Sequence, residues 1–158
     1  MNWITKFIKP KIKSLFDKKS SKTEDNLWTT CECKNLIYKE DLQSNFNCCP
    51  KCGSHHKLSC VERFETFFDN KEFEILETPL PKDDPLKFKD NKSYSDRLKK
   101  ARSITSQDDA VLIAKGKVHN IDIIVGAQDF RFIGGSFGAA SGEAFIAGVQ
   151  HAIENNIP

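Results

Sequence analysis

The sequence predicts an α/β fold in two parts, a small zinc ribbon followed by an incomplete α/β domain. Five of the six cysteines fall between residues 31 and 52. After residue 59, apolar and partly β-branched runs of strand length alternate with helical patterns. Near its end a glycine-rich segment leads into a helical pattern, without the parallel strand that normally follows such a helix. We therefore expect the sequence to break off inside an α/β domain.

Residues 1–26 are predicted to be a basic tail and linker. Residues 1–25 hold seven lysines against three carboxylates, a charge of +4, which leaves −2 for the rest of a chain whose net charge is +2. Apolar residues recur there at roughly helical spacing: Trp3, Phe7, Ile8, Ile12, Leu15 and Phe16. They form either an amphipathic surface helix or, as we prefer, a tail or short helix docked on a partner subunit, because Pro10 interrupts a continuous helix.

Composition argues against a membrane span and against export. No run approaches the ~18 consecutive apolar residues of a transmembrane helix, and lysines stand where a signal peptide has its apolar region. The sequence therefore predicts a cytoplasmic protein. In that reducing compartment, clustered cysteines are metal ligands rather than disulfide partners.

Residues 27–58 are predicted to be the zinc ribbon, in which two tight turns each present two thiolates to one ion. The second turn, Cys49-x-x-Cys52 followed by Gly53, has the usual spacing. The first, Cys31-x-Cys33, is one residue shorter and must be tighter. Cys48, His55 and His56 are the alternative ligands if that turn is distorted. We predict that Cys31, Cys33, Cys49 and Cys52 bind a structural Zn²⁺, because two adjacent cysteines cannot easily point at the same ion.

The first part of residues 59–158 predicts helices around a proline-rich connection. Ser59-x-x-Glu62 has the form of a capping box, and a helix over residues 60–69 follows with an apolar stripe. That stripe consists of Phe64, Phe67 and Phe68, and we expect Cys60 to be buried on the same helix. A brief strand at residues 73–75 precedes the connection with Pro79, Pro81 and Pro85. A second helix is predicted from Ser93 to about Thr105, with Tyr94, Leu98 and Ala101 on one face.

The last part predicts strands and a glycine turn. Residues 110–114 and 121–125 are expected to be adjacent strands joined by a turn at His119-Asn120. Residues 130–133 are expected to form a third strand, which leads into Gly134-Gly-Ser-Phe-Gly138. A helix over residues 139–154 follows, in which Phe145, Val149, Ala152 and Ile153 recur at helical spacing. We expect His151 to face solvent on that helix.

A series of landmarks follows in order along the chain. Trp28, the two cysteine turns and His55-His56 precede Asp84-Pro-Leu-Lys-Phe88, Tyr94-Ser-Asp-Arg-Leu98, Asp109-Ala-Val and Phe132-Ile-Gly-Gly-Ser-Phe-Gly138. This ordered set resembles the β subunit of the bacterial acetyl-CoA carboxylase carboxyltransferase along nearly the whole chain. The resemblance implies that residues 59–158 are the truncated amino-terminal part of a crotonase-like (ClpP/crotonase) CoA carboxyltransferase domain.

The resemblance also implies a function in fatty acid biosynthesis. Members pair with an α subunit, as a heterotetramer, within an ATP-binding acetyl-CoA carboxylase complex. They transfer a carboxyl group from biotin, held on the biotin carboxyl carrier protein, to acetyl-CoA, and the product is malonyl-CoA. Gly134, Gly135, Ser136 and Gly138 match the family's first glycine motif and are expected to shape the acyl-CoA pocket. The alternative is a purely steric role in packing the strand against the helix.

No catalytic residue is assigned from the sequence. Members of the family continue past the position of Pro158 to a second motif of Ser-Gly-Gly-Ala-Arg type, which is the better candidate for an oxyanion site. We therefore expect no independent activity from this chain. Two other hypotheses remain open, a zinc-ribbon nucleic-acid-binding module and a non-catalytic partner of an α subunit.

Overall fold

A computed structural model describes residues 27–158, and the predictions for residues 1–26 lie outside that range. The chain divides into two compact units, one that ends at His56 and one from Lys57 to Pro158. None of the helices in the described range has both the length and the apolar character needed to cross a membrane.

The first unit is a small hairpin followed by one short helix. Strands β1 (Trp28–Thr30) and β2 (Leu36–Tyr38) pair antiparallel, and helix α1 (Lys39–Ser44) follows directly. Its buried core consists of Cys31, Ile37, Leu42 and Cys49. Two of these four residues are cysteines, so the unit buries very little apolar surface. Modules of this size usually need a bound metal or a similar cross-link to be stable.

The second unit is built on a three-stranded antiparallel sheet in the order β3-β4-β5. Its strands are β3 (Phe73–Ile75), β4 (Val111–Val118) and β5 (Ile121–Gln128). Helices α2 (Cys60–Phe67) and α4 (Ala139–Asn155) pack on this sheet, and helix α3 (Tyr94–Thr105) packs against Ala110 and Phe132 next to it. The predicted strand pair, the turn between its members and the three helices are confirmed. Both strands of the pair are longer than the apolar runs that predicted them.

Helices α2 and α4 cover opposite faces of the sheet, because successive residues of β4 point to opposite sides. Ala114 packs with Phe64 and Phe68 next to α2. Val111 and Ile113 pack with Ala144 of α4. The sheet is therefore the middle layer of a helix–sheet–helix arrangement, which agrees with the predicted α/β class.

Local signals fix the starts of helices α2 and α3 as predicted. At the start of α2 the Ser59 hydroxyl accepts a bond from the Glu62 N–H, and the Glu62 carboxylate accepts one from the Ser59 N–H. At the start of α3 the Ser93 hydroxyl accepts a bond from the Asp96 N–H. Cys60 is 1% exposed, as expected. Between β3 and α3 the chain has no regular helix or strand, in agreement with its prolines.

Four sequence predictions are corrected by the structure. Residues 130–133 are not a strand but part of a turn, and Ile133 has a positive φ of 46° that no strand residue adopts. Phe67 is 46% exposed and does not share the buried stripe of Phe64 and Phe68. The helix predicted to reach residue 69 ends at Phe67, and Asp69–Lys71 form a 3₁₀ turn. His151 does not face solvent freely, because its Nε2 atom is buried without a described hydrogen-bond partner.

Helix α4 buries its small residues and leaves most of its large apolar residues exposed. Its buried residues are Ser141, Ala144 and Gly148. Gly148 lies so close to the sheet that a Cβ atom there would come within 3.0 Å of Ile113 Cγ2. By contrast, Phe145 and Ile153 are 58% and 73% exposed. Small residues bring the helix close to the sheet, and the bulky ones are left on an uncovered side.

Candidate functional site

The first cysteine turn is formed by the three-residue loop of the β1–β2 hairpin. The Cys31 N–H donates to the Asn35 carbonyl at 3.0 Å, and the Lys34 N–H donates to the Cys31 carbonyl at 2.8 Å. Lys34 has a φ of 65°, the left-handed conformation that a three-residue hairpin loop requires at its last position. This conformation is how the short Cys31-x-Cys33 spacing is accommodated.

The second cysteine turn lies between Cys49 and Gly53. The Gly53 N–H donates to the Cys49 carbonyl, and the Cys49 N–H donates to the Ser54 carbonyl, both at 2.8 Å. Gly53 has a φ of +74°, where a residue with a Cβ atom would be strained. The turn therefore presents Cys49 and Cys52 on one side, as the sequence spacing predicts.

The two turns bring the thiols of Cys31, Cys33, Cys49 and Cys52 together. The four Sγ atoms all lie within 4.8 Å of one another. Cys31 Sγ is 3.6 Å from Cys52 Sγ, and Cys33 Sγ is 3.8 Å from Cys49 Sγ. Tetrahedral zinc with Zn–S bonds of about 2.3 Å requires sulfurs about 3.8 Å apart. The cluster therefore has the dimensions of a structural zinc site, closed by four protein ligands.

The thiols of this cluster differ in acidity. The side-chain amide and the N–H of Asn35 lower the pKa of Cys33 to about 6. For Cys49, burial raises the pKa, but the N–H groups of Cys52 and Lys51 outweigh it and the pKa is lowered. For Cys52, the Ser54 N–H lowers the pKa, yet the neighbouring thiols of Cys33 and Cys49 raise it to about 12. Four thiolates cannot ionise together here without a cation, so metal binding must release protons.

The alternative ligands lie outside this cluster. Cys48 Sγ is 3.1 Å from His55 Nδ1, and the two residues form an antiparallel bridge. His56 donates its N–H to the Asn47 carbonyl, and its Nε2 atom is buried without a described partner. Adjacent residues of an extended segment point in opposite directions, so Cys49 faces the cluster while Cys48 faces His55.

The glycine turn connects β5 to α4. Ile133, Gly134 and Gly135 have successive φ values of 46°, 68° and 72°. The Gly135 N–H donates to the Phe132 carbonyl at 2.8 Å, and Gln128 Nε2 donates to the Gly135 carbonyl. Gly138 is the N-cap residue of α4. Among the described residues, no acceptor takes a hydrogen bond from the N–H groups of Ser136, Phe137 or Gly138, so these three donors remain available.

Two carboxylates that sequence reasoning missed hold this turn in place. Asp129 is 0% exposed; burial raises its pKa, but the guanidinium and N–H of Arg131 lower it below its usual range. The Arg131 N–H and Nη2 donate to it at 2.8 and 2.6 Å. At the start of α4 the Ser141 hydroxyl donates to Asp109. The Asp129-x-Arg131 spacing is that of an Asx-turn and was the available signal for the first pair.

The four residues predicted to bind substrate take two different positions. Ser136 and Gly138 line a small cavity of about 90 Å³ together with Tyr94 and Asp109. Gly134 and Gly135 form the turn itself. A larger apolar groove of about 380 Å³ lies beside β5 and α4, and Phe137 lies on its wall.

Comparison with known proteins decides the family. A sequence profile of the acetyl-CoA carboxylase zinc finger domain matches residues 28–52. The acetyl-coenzyme A carboxylase carboxyl transferase subunit beta of Pelagibacter ubique is 46% identical over 100% of this chain and 52% of its own length. The subunits beta of Jannaschia sp. and Gluconacetobacter diazotrophicus are each 42% identical, over 97% and 100% of this chain. The chain belongs to the carboxyltransferase β-subunit family. It spans about half the length of the curated relatives it matches.

Family membership agrees with the geometry of the first unit. The profile covers the two cysteine turns and ends at Cys52, the last of the four clustered thiols. A structural zinc ribbon in a carboxyltransferase β subunit is thus supported by the family match and by the sulfur positions.

Proposed function

We propose that this chain acts as part of an acetyl-CoA carboxylase carboxyltransferase, contributing a zinc ribbon and the first glycine turn of an acyl-CoA site. The observation that carries the proposal is the 46% identity to a β subunit over the whole chain. The aligned region covers the glycine turn as well as the cysteines. The proposed partners are an α subunit, with which the complete protein forms a heterotetramer, and the biotin carboxyl carrier protein. The proposed location is the cytoplasm.

In the proposed zinc site, Cys31, Cys33, Cys49 and Cys52 are the ligands. Four thiolates leave no open position for substrate or water, so the ion stabilises the ribbon and takes no part in the reaction. The sulfur distances of 3.6 and 3.8 Å support this set of ligands.

In the proposed reaction a carboxyl group moves from a biotin nitrogen to the methyl carbon of acetyl-CoA. A proton leaves the methyl carbon, the resulting enolate carbon forms a bond to the carboxyl carbon, and the bond between that carbon and the biotin nitrogen breaks. The released nitrogen takes up a proton in place of the carboxyl group, so the protons balance. Malonyl-CoA and biotin are the products. The acyl oxygen gains negative charge as the enolate forms, and backbone N–H groups are well suited to stabilise it. The second glycine motif is the proposed source of such groups, and the free N–H groups of Ser136, Phe137 and Gly138 support a role for the first glycine turn in shaping the acyl-CoA pocket beside it.

A crotonase-like domain is part of the same proposal. It is supported by the sheet between α2 and α4 and by a glycine turn at the amino end of a 17-residue helix. The second glycine motif, which the family resemblance assigns to the following residues, is the proposed oxyanion site. On this proposal residues 27–158 do not carry out the transfer alone.

A chimeric β subunit tests the proposal. This chain replaces the aligned half of the Pelagibacter ubique β subunit, and malonyl-CoA formation is measured with that organism's α subunit and biotinylated carrier protein. We expect activity within about tenfold of the unmodified enzyme. A chimera that binds zinc and the α subunit yet forms no malonyl-CoA contradicts the proposal.

A glycine variant with a matched control tests the role of the turn. Gly138 has a φ of −102°, which alanine tolerates, and a Cβ atom there would meet nothing within 4 Å. Gly138→Ala should therefore fold normally but lower kcat/KM of the chimera by roughly tenfold to a hundredfold, because a methyl group displaces the acyl group. Gly142→Ala, also without neighbours within 4 Å, should leave kcat/KM unchanged. Equal activity of both variants would mean that Gly138 takes no part in shaping the acyl-CoA pocket.

Nucleic-acid binding stays a secondary hypothesis. Between Cys31 and Cys52 the ribbon holds three lysines and three carboxylates, which gives no basic excess to attract phosphates. Binding of single-stranded DNA that weakens steeply between 50 and 200 mM salt, in a chain that does not bind the α subunit, would favour that function instead.

A further inference from the structure

One side chain of β5 contacts the glycine turn directly. Gln128, the last residue of β5, donates a hydrogen bond from Nε2 to the Gly135 carbonyl. A Cβ atom on Gly135 would lie 3.6 Å from Gln128 Cδ, so the amide of Gln128 lies against this part of the turn. Within residues 27–158, no other side chain donates to a carbonyl of residues 133–135. The Gly135 carbonyl is therefore held in place by Gln128.

The position of this carbonyl also fixes the direction of an N–H group. The Gly135 carbonyl and the Ser136 N–H belong to one peptide unit, which is planar and trans. In such a unit the N–H points in the direction opposite to the carbonyl. Because the carbonyl faces Gln128 of β5, the Ser136 N–H points away from β5.

The Ser136 N–H is available to a ligand. It has no acceptor among the described residues. Ser136 lines the small cavity of about 90 Å³ with Tyr94 and Asp109, and no described residue of β5 contributes to that lining. Gln128 lies instead on the wall of the larger groove. The Asp109 carboxylate would repel an anion in the small cavity, so a neutral carbonyl oxygen suits this donor better than a phosphate does.

We propose that Gln128 is a positioning residue of the acyl-CoA pocket, which holds the Gly135 carbonyl and so aims the Ser136 N–H at a neutral carbonyl oxygen of bound acyl-CoA. This inference rests on the proposed function and adds a residue to its site. In this role Gln128 acts through the peptide unit and does not touch the reacting atoms. The Ser136 N–H meets the same oxygen in the bound substrate and during the transfer. Its loss therefore weakens acyl-CoA binding more than it slows the transfer.

The chemistry of the side chain separates this role from packing. Gln128 is exposed, so its substitution leaves the buried core intact. Glutamate has the shape of glutamine, but its carboxylate cannot donate at neutral pH. Methionine has a similar length and no N–H. Lysine has a different shape and charge but supplies a donor. Positioning requires a donor, whereas packing requires only the shape.

Kinetics of the chimeric β subunit test the positioning role. In Gln128→Glu and Gln128→Met we expect the KM for acetyl-CoA to rise roughly threefold to tenfold, the factor that one hydrogen bond usually contributes, with kcat within about twofold of the parent. Gln128→Lys should restore most of the parent KM. The matched control is Gln150→Met on the exposed side of α4, which should change neither constant. A parent-like Gln128→Glu beside an impaired Gln128→Lys overturns the proposal in favour of packing.

Acetyl-pantetheine tests the carbonyl assignment. This substrate has the thioester and amide carbonyls of acetyl-CoA but no phosphate and no nucleotide. Gln128→Met should raise its KM by the same factor as the KM for acetyl-CoA. An increase confined to acetyl-CoA assigns the Ser136 N–H to a phosphate and overturns the carbonyl assignment.

Residual dipolar couplings test the geometry without any reaction, because the coupling of an N–H group reports the direction of that bond. In the zinc-loaded chain, Gln128→Met should change the coupling of the Ser136 N–H and leave the couplings of β4 as in the parent. Gln128→Lys should return the Ser136 coupling to its parent value. An unchanged Ser136 coupling in Gln128→Met overturns the proposal.

The outcomes for this inference and for the proposed function are distinguishable. A parent chimera without activity contradicts the proposed function, and the dipolar couplings then decide whether Gln128 aims the Ser136 N–H. An active parent chimera whose KM is unchanged in both Gln128→Glu and Gln128→Met overturns the role of Gln128 alone.

Discussion

The Asp69 carboxylate accepts a hydrogen bond of 2.9 Å from the main-chain N–H of Asn120, 51 residues further along the chain. Its other oxygen accepts one of 3.1 Å from the His119 N–H. His119 and Asn120 form the two-residue turn between β4 and β5, both with positive φ, as a type I′ turn requires. One side chain after α2 therefore satisfies both N–H groups of a turn at the far end of the sheet.

This relationship predicts a pH dependence of stability. The Asn120 N–H, and then the His119 N–H, hold the pKa of Asp69 below its usual value. A lowered folded-state pKa means that the stabilisation is present above the unfolded pKa near 3.8 and is lost as pH falls through the folded value. We expect Asp69→Asn to lower the urea midpoint of the second unit at pH 6. Between pH 5 and pH 3 the midpoint of the variant should decrease less than that of the parent. The midpoint is measured from the amide signals of β4 and β5. A variant with the same pH dependence as the parent contradicts the assignment.

Zinc content distinguishes the clustered cysteines from their neighbour. Cys49 lies in the four-thiol cluster, whereas adjacent Cys48 pairs with His55. We expect about one zinc per chain by elemental analysis, retained in Cys48→Ser and lost in Cys49→Ser. Chelation should also unfold the ribbon, since its core consists of only four buried residues. Zinc retained by Cys49→Ser, or lost from Cys48→Ser, overturns the proposed ligand set.

Two glycine-to-alanine substitutions should shift stability in opposite directions. A Cβ atom on Gly116 of β4 would come within 2.5 Å of Phe68 Cδ1, and the Phe68 ring is 4% exposed. Gly116→Ala should therefore destabilise the second unit by about 1–3 kcal/mol through overpacking. Gly142→Ala in α4 meets no atom within 4 Å and should stabilise the unit by about 0.5–1 kcal/mol, because alanine loses less backbone entropy. Chemical denaturation measures both, and a stable Gly116→Ala would show that Phe68 moves without cost.

Two ion pairs that differ in burial should contribute different amounts to the free energy of unfolding. The two arginines, Arg131 and Arg97, are both 40% exposed, but Asp129 is 0% exposed and Asp90 is 43% exposed. Arg131→Ala leaves a buried carboxylate without its cation and should cost about 3 kcal/mol. Arg97→Ala should cost about 1 kcal/mol or less. Denaturation midpoints of the two variants give the comparison. Equal losses would mean that Asp129 recruits water in place of Arg131.

The features that sequence predicted well depend on residues close together in the chain. The capping box at Ser59 and Glu62 and the helix start at Ser93 complete their hydrogen bonds within a few residues. The turn at His119-Asn120 joins two strands that pair directly on either side of it. The cysteine turns are local in the same sense, and each presents its two thiols through its own backbone bonds. The ordered landmarks led to the family resemblance for the same reason, because they are fixed positions along one chain.

Features that involve distant residues were decided by the tertiary structure. Residues 130–133 have strand-like side chains, but the contacts of Phe132 with the distant residues Leu98 and Ala101 help to hold them in a turn. The large apolar residues of α4 recur at helical spacing, but Gly148 is the residue that packs closely against Ile113, and Phe145 and Val149 line the groove beside β5.

The sequence by itself thus determined the cysteine turns, the helix starts and the order of the elements, because each depends on local chemistry. Only the tertiary structure decided which four thiols meet and which side of α4 stays open. It also decided that Pro158 reaches Ile124, because such contacts join residues that are far apart in the chain.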